Sequence, residues 1–293
     1  MNIVIVGGGA TGIEVAGILS EMKKFVLPND YPDMSSSLMH IYLIEAGPRL
    51  LAGMSEESSA HAEQFLREMG VNILLNKRVV DYRDHKVVLE DGTEIATRTF
   101  IWVSGVTGVT IGNLDASLIG RGGRIKVDSF NRVEGMNNVF AIGDQCIQLA
   151  DENYPNGHPQ LAQVAIQQGE LLAKNLIRME KGQEMKPFHY RNLGSMATVG
   201  RNRAVAEFSK VKMQGWFAWV MWLVVHLRSI LGVRNKVIVL LNWVWNYFTY
   251  DQSMRMIVYA RKAKEIRDRE KVEETTHWGK ELVQEEKLSL IHI

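Results

Sequence analysis

The run Gly7-Gly8-Gly9-Ala10-Thr11-Gly12 constrains this chain more than any other feature. It fits G-x-G-x-x-G, and its flanks are those the motif needs. Residues 3–6 form a short apolar, β-branched run that reads as a buried strand. Residues 13–22 keep helical spacing, with Ile13, Ala16, Gly17 and Leu19 available for one face. A strand, glycines and a helix in this order make a pyrophosphate cradle. Gly7 permits the tight turn, Gly9 lets the backbone approach a pyrophosphate, and Gly12 lets the helix pack on the strand. Ala10 and Thr11 open the helix, whose free N–H groups and positive dipole end face the phosphates.

The next strand sets the coenzyme. Residues 41–44 read as that strand and lead into Glu45. A carboxylate there can accept hydrogen bonds from the adenosine ribose hydroxyls and would repel the extra phosphate of NADP, so NADH is expected. The spacing exceeds the usual ~20 residues; segment 25–37, with Pro28, Pro32 and a serine run, reads as an inserted loop. Arg49 lies close enough to weaken the charge argument. Glu14 has two readings: a complement to the helix dipole, or a contact with the nicotinamide half of the coenzyme.

Residues 71–74, 79–83 and 86–89 continue as strands, with Asp91-Gly92 as a turn. Residues 99–103 form another apolar strand ending at Ser104-Gly105. Ligands lie at the carboxyl ends of strands in an open α/β sheet, which brings Gly105 into the candidate site. The first domain is placed at residues 1–112. Residues 124–127 and 138–142 read as strands, the second followed by Gly143-Asp144. A carboxylate after a strand-end glycine can bind sugar-type hydroxyls, although Gly-Asp also makes turns. Pro159 then precedes a helix expected from about residue 161 to Arg178. Its residues Gln163 and Gln167 are four apart and share a face. Two amides beside free backbone N–H groups suit a polar ring with carbonyls, a flavin or a quinone; the alternative is two solvent-exposed glutamines.

With 293 residues, 46% of them hydrophobic, the chain can bury more than one core. Its single cysteine excludes a disulfide framework, a CxxC redox pair and a Cys-based zinc site, and points to a reducing compartment. The eight histidines show no metal-ligand spacing, so no metal is expected. There is no GxSxG, no P-loop lysine and no signal-peptide pattern. The net charge of +1 hides an asymmetry: residues 200–264 carry 11 Lys/Arg against two acidic residues. In that block, apolar runs 216–231 and 237–248 are joined by a connection carrying Arg234 and Lys236. Neither run reaches the ~20 apolar residues of a spanning helix. The tryptophans and tyrosines, Trp216, Trp219, Trp222, Trp243, Trp245, Tyr247 and Tyr250, are of the kind that belts a membrane–water interface. Two helices lying in an anionic lipid surface are expected, against the alternative of a core helical hairpin. From Tyr259 onward a solvated helix or a disordered charged tail is expected, and residues 288–293 read as a foreign or frameshifted end.

Taken in order, residues 4–16 (VIVGGGATGIEVA), 138–144 (NVFAIGD) and 162–169 (AQVAIQQG), with the block 226–250 (HLRSILGVRNKVIVLLNWVWNYFTY), resemble the type II NADH:quinone oxidoreductases. The resemblance implies an α/β fold: Rossmann-like FAD- and NADH-binding domains with a parallel sheet, plus carboxy-terminal amphipathic membrane-associated helices. It implies FAD and NADH as cofactors. It assigns Gly7, Gly9, Gly12 and Glu45 to the NADH side, with Glu14 near the nicotinamide; Ala10 and Thr11 at the helix start and Gly105 at the strand end join them as expected cofactor-binding residues. It assigns Gly143 and Asp144 to the FAD ribityl-phosphate side, and Ala162, Gln163 and Gln167 to the isoalloxazine and quinone pocket. Glu14, Gln163 and Gln167 are thus the expected catalytic residues. The implied partners are a quinone, an anionic membrane surface and a second copy of the chain, with no nucleic acid; the implied place is the cytoplasmic face of the bacterial inner membrane, peripherally bound. One departure stands out. Family members carry a first glycine fingerprint, for FAD, ahead of the NADH domain, and the sequence holds no second one. An amino-terminally truncated chain is therefore expected. Its parts are an NADH-binding domain (1–112), the returning half of an FAD domain (113–203), an interfacial helical region (204–260) and a charged tail (261–293). The alternatives are a non-catalytic membrane-associated NADH-binding module and another FAD-dependent pyridine-nucleotide reductase.

Overall fold

The computed structural model describes residues 1–249, apart from 34, 110 and 210. Strand β1 (Asn2–Val6) leads through the glycines into α1 (Ala10–Glu21). The helix does not stop where a loop was expected. It runs on as a π-helical turn, Met22–Val26, and then as the short α2 (Leu27–Asp30). Pro28 sits in the first turn of α2, where a missing N–H costs nothing, so the proline that argued for a loop is compatible with helix. Then follow β2 (His40–Ile44), α3 (Glu56–Glu68), β3 (Val71–Leu74), β4 (Val79–Arg83), β5 (Lys86–Leu89), β6 (Glu94–Ala96) and β7 (Thr99–Trp102).

β1 lies inside a four-stranded parallel sheet of order β3-β2-β1-β7. Its side chains alternate between two cores, as the two-residue period of a strand requires. Ile3 and Ile5 face α1 and α3 and meet Ile13, Ala16, Ala62 and Leu66. Val4 and Val6 face the antiparallel ribbon β4-β5-β6 and meet Val87 and Leu89. Burial on both faces explains why these strands read as continuous apolar runs.

The second half is built around a short parallel pair, β8 (Ile125–Val127) and β9 (Cys146–Gln148). Residues 138–142, expected as a strand, form only a bridge, Arg132 with Phe140. The N–H groups of Val133 and Ala141 donate to Val139 and Asn131 within this bend, instead of to a neighbouring strand. Strand pairing resumes only after the Gly143–Gln145 turn, so Gly143 and Asp144 precede a strand rather than follow one. Helix α4 (Ala162–Glu180) runs back from this point. Ahead of it, His158 Nε2–H donates to Asp151 at 3.0 Å inside a buried cluster with Tyr154, Phe188 and Tyr190.

An antiparallel sheet that the sequence did not announce follows: β10 (Ser195–Gly200), β11 (Arg203–Phe208) and β12 (Val211–Gln214). One face, with Ala197, Val199 and Val205, joins the core under α1. The other face, with Ala204 and Ala206, takes Ala218 of α5 (Gly215–Ser229). Glu207 of β11 reaches the start of α3, where it accepts from the Ser55 N–H and the Ser58 hydroxyl. An anion at a helix N-terminus is favoured by the dipole.

Helix α6 (Val233–Thr249) includes Arg234 and Lys236 in its first turn, where a connecting loop was expected. Val237, Leu241, Val244, Trp245 and Phe248 recur at helical spacing on it and are exposed. Among the described residues no helix is long and apolar enough to cross a membrane. Tyr250, the tail 261–293 and the end 288–293 lie outside the described residues.

Gly17 marks the closest approach in the core. A Cβ there would stand 1.6 Å from the carbonyl oxygen of Val199, so α1 rests directly on the backbone of β10. Gly17→Ala is expected to cost about 3 kcal/mol of stability, because neither backbone can yield cheaply. Gly53→Ala, where a Cβ meets nothing within 4 Å, should cost little. Equal urea midpoints for the two variants would refute this packing.

Candidate active site

The glycine turn is shaped by backbone contacts that leave no room for side chains. Gly7 has φ +115°, and a Cβ on it would lie 2.7 Å from the Val103 carbonyl oxygen. A Cβ on Gly12 would lie 1.8 Å from the carbonyl oxygen of Gly7, so Gly12 lets α1 close over the turn. Gly9 is different: a Cβ there meets nothing within 4 Å. The protein does not itself fill the space above the start of α1. Gly9, Ala10 and Thr11 are exposed there, with Ser104 and Gly105 exposed at the end of β7. No side chain caps α1, so its first N–H groups are available to an anion.

Glu45 bounds the same space. Its carboxylate accepts from the Gly8 N–H at 2.6 Å and the Gly47 N–H at 2.7 Å. Each oxygen keeps further acceptor capacity for a hydroxyl. Arg49 is turned away from this role. Its guanidinium donates to the carbonyls of Met54 and Ala52, at 2.8 and 2.9 Å, and fastens the loop that follows. The cation that clouded the choice between NADH and NADPH is therefore spent on backbone.

Glu14 stands in the second turn of α1, which has no acidic residue in its first turn. The helix-dipole reading thus loses its basis, since the effect fades beyond the first turn. The carboxyl is half-buried. Burial pushes its pKa above 4.5, opposed in part by a backbone hydrogen bond from Thr198 and by the His226 imidazole. His226 is held in turn: Nδ1–H donates to the Trp222 carbonyl at 2.8 Å, and the rings stack at 3.9 Å. Thr198 and His226 were missed in the sequence because the strand and helix that carry them were not expected to meet α1.

A second cluster forms at α4. Gly143 adopts φ +67°, and a Cβ on it would stand 3.2 Å from that of Ala165. Asp144 is exposed beside it. Ala162 is the first residue of α4, with Leu161 in the N-cap position and no side-chain cap. Gln163 and Gln167 do share a face, and both amides grip the extended segment ahead of β10. Gln163 accepts from the Leu193 N–H at 3.0 Å and donates to the Gly194 carbonyl at 3.1 Å. Gln167 accepts from the Arg191 N–H at 3.1 Å and donates to the Arg191 carbonyl at 2.9 Å. The structure thus gathers Gly7–Gly12, Glu45 and Gly105 in one place, and Gly143, Asp144 and the start of α4 in another. β10 ties them together: Gln163 holds its entry and Glu14 meets its Thr198. Among the described residues no group of three or more His, Cys, Asp or Glu side chains could hold a metal.

A family model described as pyridine nucleotide-disulphide oxidoreductase matches residues 1–169, more than half of the chain. The chain belongs to that family. A second model, described as the NDH2 C-terminal domain, matches residues 192–250. The type II NADH:quinone oxidoreductase NdhA of Mycobacterium tuberculosis is 35% identical over 256 residues, covering 83% of this chain and 53% of that protein. The internal alternative NAD(P)H-ubiquinone oxidoreductase A1, mitochondrial, of Arabidopsis thaliana is 32% identical, covering 84% and 51%. The chain thus spans about half the length of the curated relatives it matches. Among solved structures, NDH2 from Plasmodium falciparum in complex with NADH shares the fold at a TM-score of 0.76 and 19% identity, covering 85% of this chain and 66% of that one.

The raised pKa of Glu14 has a definite sign. The folded state binds its proton more tightly than the unfolded chain does, so stability falls as pH rises from the ordinary value of 4.5 through the raised one. Glu14→Gln removes that loss. The variant's urea midpoint should exceed that of the parent at pH 7 and converge with it at pH 4. A lower midpoint at pH 7 would show that the carboxylate is stabilising instead.

Proposed function

We propose that this chain provides the NADH-binding, flavin-contacting and membrane-facing parts of an NADH:quinone oxidoreductase. In that reaction a hydride passes from NADH to FAD, and electrons then pass to a membrane quinone. The carrying observation is the open position above Gly9. A glycine flanked by tightly packed glycines, with nothing of the protein in reach of its missing side chain, is what a bound pyrophosphate requires. The type II NADH:quinone oxidoreductases it resembles give the reading its substrate class.

The residues act as follows. The N–H groups opening α1, at Ala10, Thr11 and Gly12, bind the coenzyme pyrophosphate. Glu45 accepts the ribose hydroxyls and selects NADH over NADPH. Gly105 leaves the end of β7 bare for the coenzyme. Glu14, half-buried beside His226, lines the space proposed for the nicotinamide. The exposed Asp144 carboxylate and the uncapped start of α4 at Ala162 fit the sugar-alcohol and ring end of FAD, with Gln163 and Gln167 orienting the wall beside it. Bound FAD supplies the two-electron chemistry that the side chains lack. A second reading is a membrane-associated module that binds NADH without turnover.

The membrane-facing part proposed here is α5; α6 carries an exposed apolar row of its own. Ala218 packs inward, while Phe217, Met221, Val224 and Val225 form an exposed apolar stripe on α5. With the basic residues of this block they suit a peripheral seat on anionic lipid, at the cytoplasmic face of a bacterial membrane. A second copy of the chain is proposed as a further partner.

Purified protein should quench or enhance NADH fluorescence on binding, and Gly9→Val should weaken that binding about tenfold or more by filling the open space. A flavin absorbance band in the wild type supports the oxidoreductase; colourless protein that still binds NADH supports the module. Separately, the protein should float with phosphatidylglycerol-containing vesicles, and Phe217→Glu with Val224→Glu should leave it at the bottom of the gradient. Flotation unchanged by both substitutions would displace α5 from the membrane contact.

A further inference from the structure

We propose that Gln168 is the positioning residue that locks the Gly143–Asp144 turn in its ligand-receiving shape. The ligand named, the sugar-alcohol side of FAD, rests on the reading above; the lock itself rests on geometry. Gln168 lies on α4 and is 1% exposed. Its Oε1 accepts from the Gly143 N–H at 2.7 Å and stands 3.7 Å from Cys146 Sγ. The thiol is also 3.4 Å from the Gly143 carbonyl, so both ends of this residue are gripped from behind. On the far side, Asn131 Nδ2 points at the Ala141 carbonyl and at the sulfur.

The turn needs such a grip. Gly143 is a glycine in the left-handed region, and glycine adopts either sign of φ at little cost. If the Ile142–Gly143 peptide rotated, its N–H would leave α4 and the Asp144 carboxylate would swing with it. The Gly143 carbonyl is also held, by the Cys146 backbone N–H and thiol. The side-chain tethers of the next two residues are exposed: Gln160 donates to the Asp144 carbonyl at 3.1 Å, and Gln145 pairs with Val109. Of these side-chain bonds to residues 143–145, the one from Gly143 N–H is accepted by the side chain that is 1% exposed, so its loss leaves a part-buried N–H without its protein partner. Gln168 therefore acts through Gly143 and Asp144, and touches no ligand itself.

Cys146 gives the test a built-in reporter, since it is the single cysteine of the chain and is buried directly behind the turn. Gln168→Met fills the same volume without the acceptor, and Gln168→Glu restores an oxygen at the same place. Two quantities are measured on full-length protein whose circular dichroism confirms folding. One is the rate of Cys146 reaction with an aromatic disulfide reagent; the other is FAD affinity from flavin fluorescence. Gln168→Met should speed thiol reaction about tenfold and weaken FAD binding about tenfold, the effect of one net buried hydrogen bond. Gln168→Glu should stay within about threefold of the parent on both. Asp144→Asn should weaken FAD binding while leaving the thiol slow.

Unchanged thiol reactivity in Gln168→Met would overturn the lock. So would a reactive thiol with unaltered FAD affinity, or a Gln168→Glu variant as open as Gln168→Met. If the parent protein takes up no FAD, the cofactor reading fails, while the thiol rates of the Met and Glu variants still decide for or against the lock.

Discussion

Several parts of the candidate site are referred to one backbone contact, that of α1 on β10. Gly17 has no side chain to hold the two apart, and the Val199 carbonyl lies where one would be. The consequence reaches in both directions. Towards its N-terminus, α1 presents the glycine turn and Glu14. Along β10, Thr198 meets Glu14, and the segment entering the strand is held by Gln163 and Gln167. On the reverse of the same sheet, Ala204 and Ala206 admit Ala218 and bring α5 with its histidine close. The small residues are thus not a passive filler. They set the separation between the coenzyme cradle, the α4 cluster and the apolar helix.

The parts that could be read from residues alone are those governed by short-range rules. A β-branched run before three glycines, a helix after them and a carboxylate beyond the next strand are decided within a few residues, and β1, α1, β2 and Glu45 stand accordingly. The α4 helix and the shared face of Gln163 and Gln167 follow from helical periodicity in the same way. What escaped was decided by partners far along the chain. Residues 138–142 have strand composition, yet their N–H groups find acceptors in the neighbouring bend. The sheet β10-β11-β12 carries alanines, glycine and charged residues that give no clean alternation. It is stabilised by burial between α1 and α5, which a local pattern does not reveal. Thr198, His226 and Gln168 entered the candidate site through such distant packing.

The glutamines show how one residue type can do two jobs at once. Gln163 and Gln167 face the segment 191–194 as a neighbouring strand would, trading an N–H and a carbonyl with its backbone. Their amides stiffen the wall of the α4 cluster, and each keeps unused hydrogen-bonding capacity. Gln168, one position on, points the other way into the protein. Three amides within six residues of helix therefore serve opposite faces of one structural joint.

Glu45 carries a last implication. The carboxylate proposed to read the ribose also holds the N–H groups of Gly8 and Gly47, so it braces its own loop. On that proposal, coenzyme choice and loop integrity are inherited as a single trait. A lineage drifting towards the phosphorylated coenzyme could not simply discard the acid; it would first have to find another clasp for those two amides. Arg49 is already committed to the carbonyls of the next turn, so it could not take over the role without giving up those contacts.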